Sequence, residues 1–182
     1  TILKEVSENV SEMRGIYIMG KAAALNASVG DVMIPNFVHD THTGNNVFIE
    51  NAVSAQKIAP FVPKNSLFSA QKAITVRGTF LQNEESLASM YAEGYGIIEM
   101  EAGPYLERIY EMLYPTRYPT KETLVIKPNF RLGMAYYVSD TPYDKGTNLG
   151  AKHLTWEGLN ATYGISIAFL QDIFSQELNR LS

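Results

Sequence analysis

The sequence predicts an α/β domain with a mixed, mostly parallel central sheet flanked by helices in three layers, and three observations lead there. Short β-rich apolar runs alternate with longer segments of helical periodicity. Turn signals at Gly30-Asp31, Gly94 and Pro128-Asn129 separate them. A length of 182 residues with 46% hydrophobic content suffices for one well-buried core, so residues 1 to 182 are expected to form a single domain.

The elements follow in chain order. Leu3, Val6, Val10 and Met13 recur at three- and four-residue spacing, which predicts a short amphipathic helix over Ile2 to Met13. Ile16 to Met19 reads as a strand closed by Gly20, and Val32 to Val38 and Ala73 to Phe80 read as two more. Asn83 caps a helix whose first turn carries Glu84 and Glu85 and which Gly94 ends. A strand over Tyr95 to Met100 precedes a helix opened near Pro104 and stopped before Pro115. Thr123 to Ile126 and Gly133 to Val138 supply two further strands. After a Thr155 cap comes a long helix with Trp156, Leu159, Tyr163, Leu170, Phe174, Leu178 and Leu181 near the helical period, a pattern read as core packing.

Composition excludes several classes of function. With 15 Lys+Arg against 19 Asp+Glu the net charge is -4, so no basic surface is available to neutralise a nucleic-acid backbone. No apolar run approaches the ~20 residues that cross a bilayer, so no membrane association is expected. The absence of cysteine removes disulfides and thiolate chemistry and fits a cytoplasmic protein. His39-Asp40-Thr41-His42 has metal-compatible spacing but no third ligand. Gly94-Tyr95-Gly96 lacks the third glycine of a dinucleotide fingerprint. Neither a cofactor nor a metal is therefore expected.

Ligands in such sheets sit beyond the carboxyl ends of strands, which directs attention to Glu99-Met100-Glu101 and Ser139-Asp140. Asp140 reads either as an acid, if desolvation lets it keep a proton, or as a turn cap, since Ser139-Asp140-Thr141-Pro142 is good turn chemistry. Glu101 reads either as a ligand acceptor or as a carboxylate favoured at a helix N-terminus.

Five stretches resemble, in order, the nucleoside phosphorylase and nucleosidase superfamily. Gly20-Lys21-Ala22-Ala23-Ala24-Leu25 with Val29-Gly30-Asp31-Val32 is similar to the family's glycine-rich turn and valine-glycine-aspartate strand opening. Phe37-Val38-His39-Asp40 resembles the stretch leading to a loop that reaches a neighbouring subunit. Arg77-Gly78-Thr79-Phe80-Leu81 is similar to the segment that stacks on the purine, and Ile98-Glu99-Met100-Glu101-Ala102 to the ribose-binding signature. Tyr137-Val138-Ser139-Asp140-Thr141-Pro142 resembles the strand end that carries the catalytic aspartate.

The resemblance implies a purine nucleoside or nucleotide as ligand. Asp140 would be the acid, and Phe80, Leu81, Met100, Glu101 and Ser139 would line the site. Ile18 stands where phosphorylases keep a phosphate-binding arginine, which favours hydrolysis over phosphorolysis. The family's upstream third, with its glycine-rich loop, has no counterpart here, so the chain reads as the C-terminal two thirds of that fold. A non-catalytic nucleoside-binding or assembly module is the alternative, and a phosphorylase the second alternative. Self-association as a dimer through residues 40 to 48 is expected, because Val47-Phe48-Ile49 is costly to expose.

Overall fold

The computed structural model describes residues 2–78, 83–142 and 156–181. Seven strands, β1 (Gly15–Ala24), β2 (Val32–Asp40), β3 (Asn46–Ile49), β4 (Leu67–Thr75), β5 (Tyr95–Glu99), β6 (Thr123–Ile126) and β7 (Arg131–Asp140), join in the order β4-β5-β1-β7-β2-β3-β6. A further pairing of β4 with β2 closes β4, β5, β1, β7 and β2 into a ring, from which β3 and β6 extend. The sheet is mixed, and its closure into a ring was not expected. Four pairings are parallel (β1–β7, β2–β4, β4–β5, β3–β6) and three antiparallel (β1–β5, β2–β3, β2–β7). Ring closure is a non-local event that the residue pattern does not announce.

Alternation on β7 distributes the core. Leu132, Met134, Tyr136 and Val138 face a cluster completed by Leu106, Ile109 and Tyr110, while Ala135 faces a second cluster with Ala161, Ile165, Ala168 and Phe169. These helical residues belong to α4 (Ala102–Leu113) and α5 (Trp156–Leu181), which thus cover different faces of the sheet. The predicted last helix runs over the expected residues, but its Tyr163, Leu170, Phe174, Leu178 and Leu181 are exposed and a different set is buried. Thr155, its expected cap, lies outside the described residues.

Asn83 caps α3 (Glu84–Ala92) as predicted, accepting from the Ser86 amide at 2.8 Å, and Gly94 follows with φ +81°. The first helix, α1 (Ile2–Glu8), is shorter than its periodicity suggests, because the Asn9 side chain donates to Glu5 O at 2.7 Å and ends it. Residues 20 to 24 are strand rather than turn. Gly20 lies within β1 because a Cβ there would meet the Tyr136 ring at 2.5 Å, and Ala22, Ala23 and Ala24 are all buried. The same strand pairs with β7 along its length but with β5 only at Ala23 and Ala24, so Gly15 to Ala22 has one ladder among the described residues.

The segment from 40 to 48 is also corrected. Residues from Asn46 form β3, a hairpin partner of β2 and a parallel partner of β6. Val47 and Ile49 are buried in the chain's own core, and Phe48 packs edge-on against Phe37 at 4.9 Å. The apolar triplet is therefore largely covered within one copy and no longer argues for a dimer contact there. A short helix α2 (Ala55–Ile58) and a 3-10 turn (Ala59–Phe61), both unforeseen, pack against α5.

Candidate functional site

The ring brings several strand ends together. Ala23 of β1 pairs with Asp140 on one side and Ile98 on the other, so the end of β7 and the end of β5 flank one residue. At ~4.8 Å per strand, Asp140 and Ile98 lie about 10 Å apart. Nearby, β2, β4 and β5 end in register at Asp40, Thr75 and Glu99.

Asp140 is 1% exposed. Ser139 Oγ lies 2.6 Å from its Oδ2 and 3.2 Å from Ala22 O, so a single hydroxyl hydrogen faces two acceptors and the carboxylate is the nearer. Lys21 Nζ lies 4.0 Å from the same Oδ2. Oδ1 is buried without a hydrogen-bond partner among the described residues. Buried polar atoms are rarely left so, and an orphaned carboxyl oxygen at a strand end calls for an external partner.

Glu99, to which the sequence reading assigned no role, explains its neighbours. It is almost fully buried, with Oε1 accepting from the Thr75 hydroxyl and Oε2 from the amides of Glu101 (2.7 Å) and Ala102 (2.6 Å). Thr75 Oγ1 in turn accepts from Gly103 N at 2.8 Å. Burial pushes the Glu99 carboxyl above the usual range, with the bonds from Thr75 and the two amides pulling it back. Capping of α4 is thus done by Glu99. Glu101 makes no side-chain capping bond and is exposed, as is Met100. Alternation alone would place Glu99 and Glu101 on one face; what separates them is that β5 ends at Glu99 and the chain turns into α4.

A separate polar cluster fastens the β2–β3 turn to α4. Asp40 is fully buried and accepts from His42 N (2.9 Å) and His42 Nδ1 (2.7 Å). Thr43 donates to Glu107, and Asn45 Nδ2 reaches Glu107 Oε1 at 2.8 Å and Pro119 O at 2.9 Å. His39 instead meets Asn46 Oδ1 at 2.9 Å. The two histidines serve different partners, and the described residues contain no group of three His, Asp or Glu ligands suited to a metal.

Arg77 holds the exit of β4 by donating to Thr41 O at 3.0 and 3.2 Å. Phe80 and Leu81 beyond it lie outside the described residues. Ser139, Asp140, Met100 and Glu101 are brought to the neighbouring ends of β7 and β5, joined by Lys21.

A family model described as a family of unknown function (DUF6909) matches residues 1–175. The chain belongs to DUF6909. No curated protein matches this DUF6909 sequence. Its fold is that of nucleoside phosphorylases and nucleosidases. An adenosine/methylthioadenosine phosphorylase double mutant from Schistosoma mansoni in complex with adenine superposes with a TM-score of 0.62 at 13% identity, over 97% of this chain and 68% of that one. Arabidopsis thaliana 5'-methylthioadenosine nucleosidase gives 0.56 at 12% identity, covering 94% and 66%. Schistosoma mansoni uridine phosphorylase in complex with thymidine gives 0.57 at 12%, covering 98% and 66%. The DUF6909 chain thus spans about two thirds of the length of these structures. None of its described helices is long and apolar enough to cross a membrane.

Proposed function

We propose that the chain binds a purine nucleoside or nucleotide across the ends of β5 and β7 and hydrolyses its N-glycosidic bond. The observation that carries this reading is the Asp140 carboxyl, buried at a strand end with Oδ1 unpartnered among the described residues and Oδ2 held by Ser139. Breaking the bond leaves negative charge on the departing base and positive charge on the ribose. Asp140 gives a proton to the base as the bond from C1′ to the base nitrogen breaks and a water oxygen bonds to C1′. The water's surplus proton returns to Asp140. A positioned acid contributes about 10²- to 10⁴-fold.

Other residues take complementary parts. Lys21, 4.0 Å from Oδ2, stabilises the carboxylate left after proton transfer. Glu101, relieved of capping, accepts from the ribose hydroxyls, and those bonds strengthen as the sugar gains positive charge. Met100 packs on the sugar, and Phe80 and Leu81 line the base. No residue of this set positions the water, which forfeits part of the ~7–11 kcal/mol available from proximity, so turnover is expected to be slow.

Lys21 also favours a second reading. A carboxyl already engaged in an ion pair suits a module that binds nucleosides without cleaving them. The test measures binding of adenosine, inosine, methylthioadenosine and AMP by calorimetry, and free-base release from each, for wild type and Asp140→Asn. Hydrolysis predicts binding by both proteins and release only by wild type. Binding without release by either supports the module. Failure of every nucleoside to bind, or release that ignores Asp140→Asn, refutes the assignment.

A further inference from the structure

Helix α5 is apolar on two opposite sides. Toward the sheet it buries Ala161, Ile165, Ala168 and Phe169. On the other side Tyr163, Ile167, Leu170, Phe174, Leu178 and Leu181 are 62%, 40%, 50%, 61%, 66% and 86% exposed. At 100° per residue these six fall within an arc of about 80°, and at 1.5 Å per residue the stripe is about 27 Å long. Its spacing is regular enough for ridge-into-groove packing against another helix.

Charge is withheld from this stripe. The charged residues between positions 158 and 181 are Asp172, Glu177 and Arg180. Each is bonded to the body of the chain: Asp172 to Lys57 and Arg131, Glu177 to Arg14, and Arg180 to Glu12. Depletion of charge around a core of large apolar side chains is the compositional mark of an interface. The exposed area is on the order of 600 Å², at the upper end of what soluble monomers leave contiguous and close to the ~800 Å² per partner of a standard interface.

We propose that the stripe is a dimer interface, in which α5 packs antiparallel on α5 of a second copy about a two-fold axis. The stripe reads nearly the same from either end. With the axis midway between Leu170 and Phe174, each Leu170 opposes the partner copy's Phe174, Ile167 opposes Leu178, and Tyr163 opposes Leu181. An isologous contact requires this self-matching, and an uncharged stripe meets its own copy without like-charge repulsion. A lipid surface is disfavoured, because along described α5 the cationic residue is Arg180, and it is paired with Glu12 rather than left to meet anionic headgroups. The inference rests on α5 alone and stands apart from the nucleoside site.

The test is sedimentation equilibrium at micromolar concentration, with thermal melting followed by circular dichroism. Wild type is expected to be a dimer, and Phe174→Glu and Leu178→Glu to be folded monomers. The double variant Leu170→Lys/Phe174→Glu places opposite charges across the axis and is expected to dimerise more tightly than Phe174→Glu alone. Should one single variant fail to fold, the other decides. A monomeric wild type overturns the proposal, as does a dimer that persists in the folded single variants. Wild-type monomer that co-sediments with phosphatidylserine vesicles overturns it in favour of a lipid surface.

Discussion

Glu99 accepts the Ala102 amide at 2.6 Å through a carboxyl that also takes the Thr75 hydroxyl, so one buried side chain ties β5, β4 and the start of α4 together. Its neighbour Glu101 carries none of that structural duty. The two glutamates should therefore separate in experiment. Glu99→Gln is expected to lower stability by about 1–3 kcal/mol in chemical unfolding. Glu101→Gln is expected to leave unfolding unchanged and weaken nucleoside binding at least about tenfold, the loss of a charge-assisted hydrogen bond. Equal effects of both variants on stability would contradict the division.

Glu99 also has a pH signature. Burial raises its folded value, so the folded chain takes up this proton more readily than the unfolded chain. Ionised Glu99 therefore weighs against stability at neutral pH, and the burden lifts as pH falls through the raised folded value toward the unfolded one. Unfolding of wild type and Glu99→Gln across that range should show the difference moving in favour of wild type as the solution is acidified.

Asp172 should behave in the opposite sense. It is 8% exposed and bonded to Tyr17 at 2.5 Å, to Arg131 at 2.9 and 3.1 Å, and to Lys57. Burial pushes its carboxyl up, but the bonds from Lys57, Tyr17 and Arg131 outweigh burial and hold it below the usual range. Its contribution is present above the unfolded value and lost as pH falls through the lowered folded value. Asp172→Asn leaves Lys57 and Arg131 without their anion and is expected to cost about 2–4 kcal/mol at neutral pH, with little penalty in acid. Denaturant midpoints at the two pH values check both statements.

Lys21→Met removes the cation 4.0 Å from Asp140 Oδ2. Base release is expected to fall about tenfold, an interaction of about 1.4 kcal/mol with the carboxylate left after proton transfer, while nucleoside binding stays near wild type. Base release unchanged in this variant would remove Lys21 from the site.

Gly20→Ala inserts a Cβ 2.5 Å from the Tyr136 ring. Overpacking of this kind is expected to cost about 1–3 kcal/mol, and Tyr136→Ala in the same chain should relieve the clash so that the two effects fail to add. A double-mutant cycle on unfolding free energies measures the coupling.

Much of the local structure was legible because local chemistry decides it. Asn83 announced a capped helix, and Thr123 to Ile126 a strand, from nearest neighbours alone. Gly20 misled, because a glycine before three alanines suggests a turn until Tyr136, more than a hundred positions away, covers it. On α5 the large residues drew the reading toward the wrong face, since small Ala161 and Ala168 are what let the helix approach the sheet. The end of β7 was found by pattern, whereas the orphaned Oδ1 of Asp140 and the cap formed by Glu99 depend on which strands lie side by side. Phe80 and Leu81 remain expectations from sequence.

The placement of β7 between β1 and β2 has a consequence for synthesis. β1 begins at Gly15 and its partner β7 at Arg131, so at about 5–20 residues per second the first strand waits on the order of ten seconds for its ladder. Until then β1 and one side of β2 present open edges, the kind that recruit other nascent chains. Ribosome-bound or truncated chains ending before Arg131 are therefore the vulnerable species, and the last strand acts as a keystone that is set only when nearly everything else has emerged.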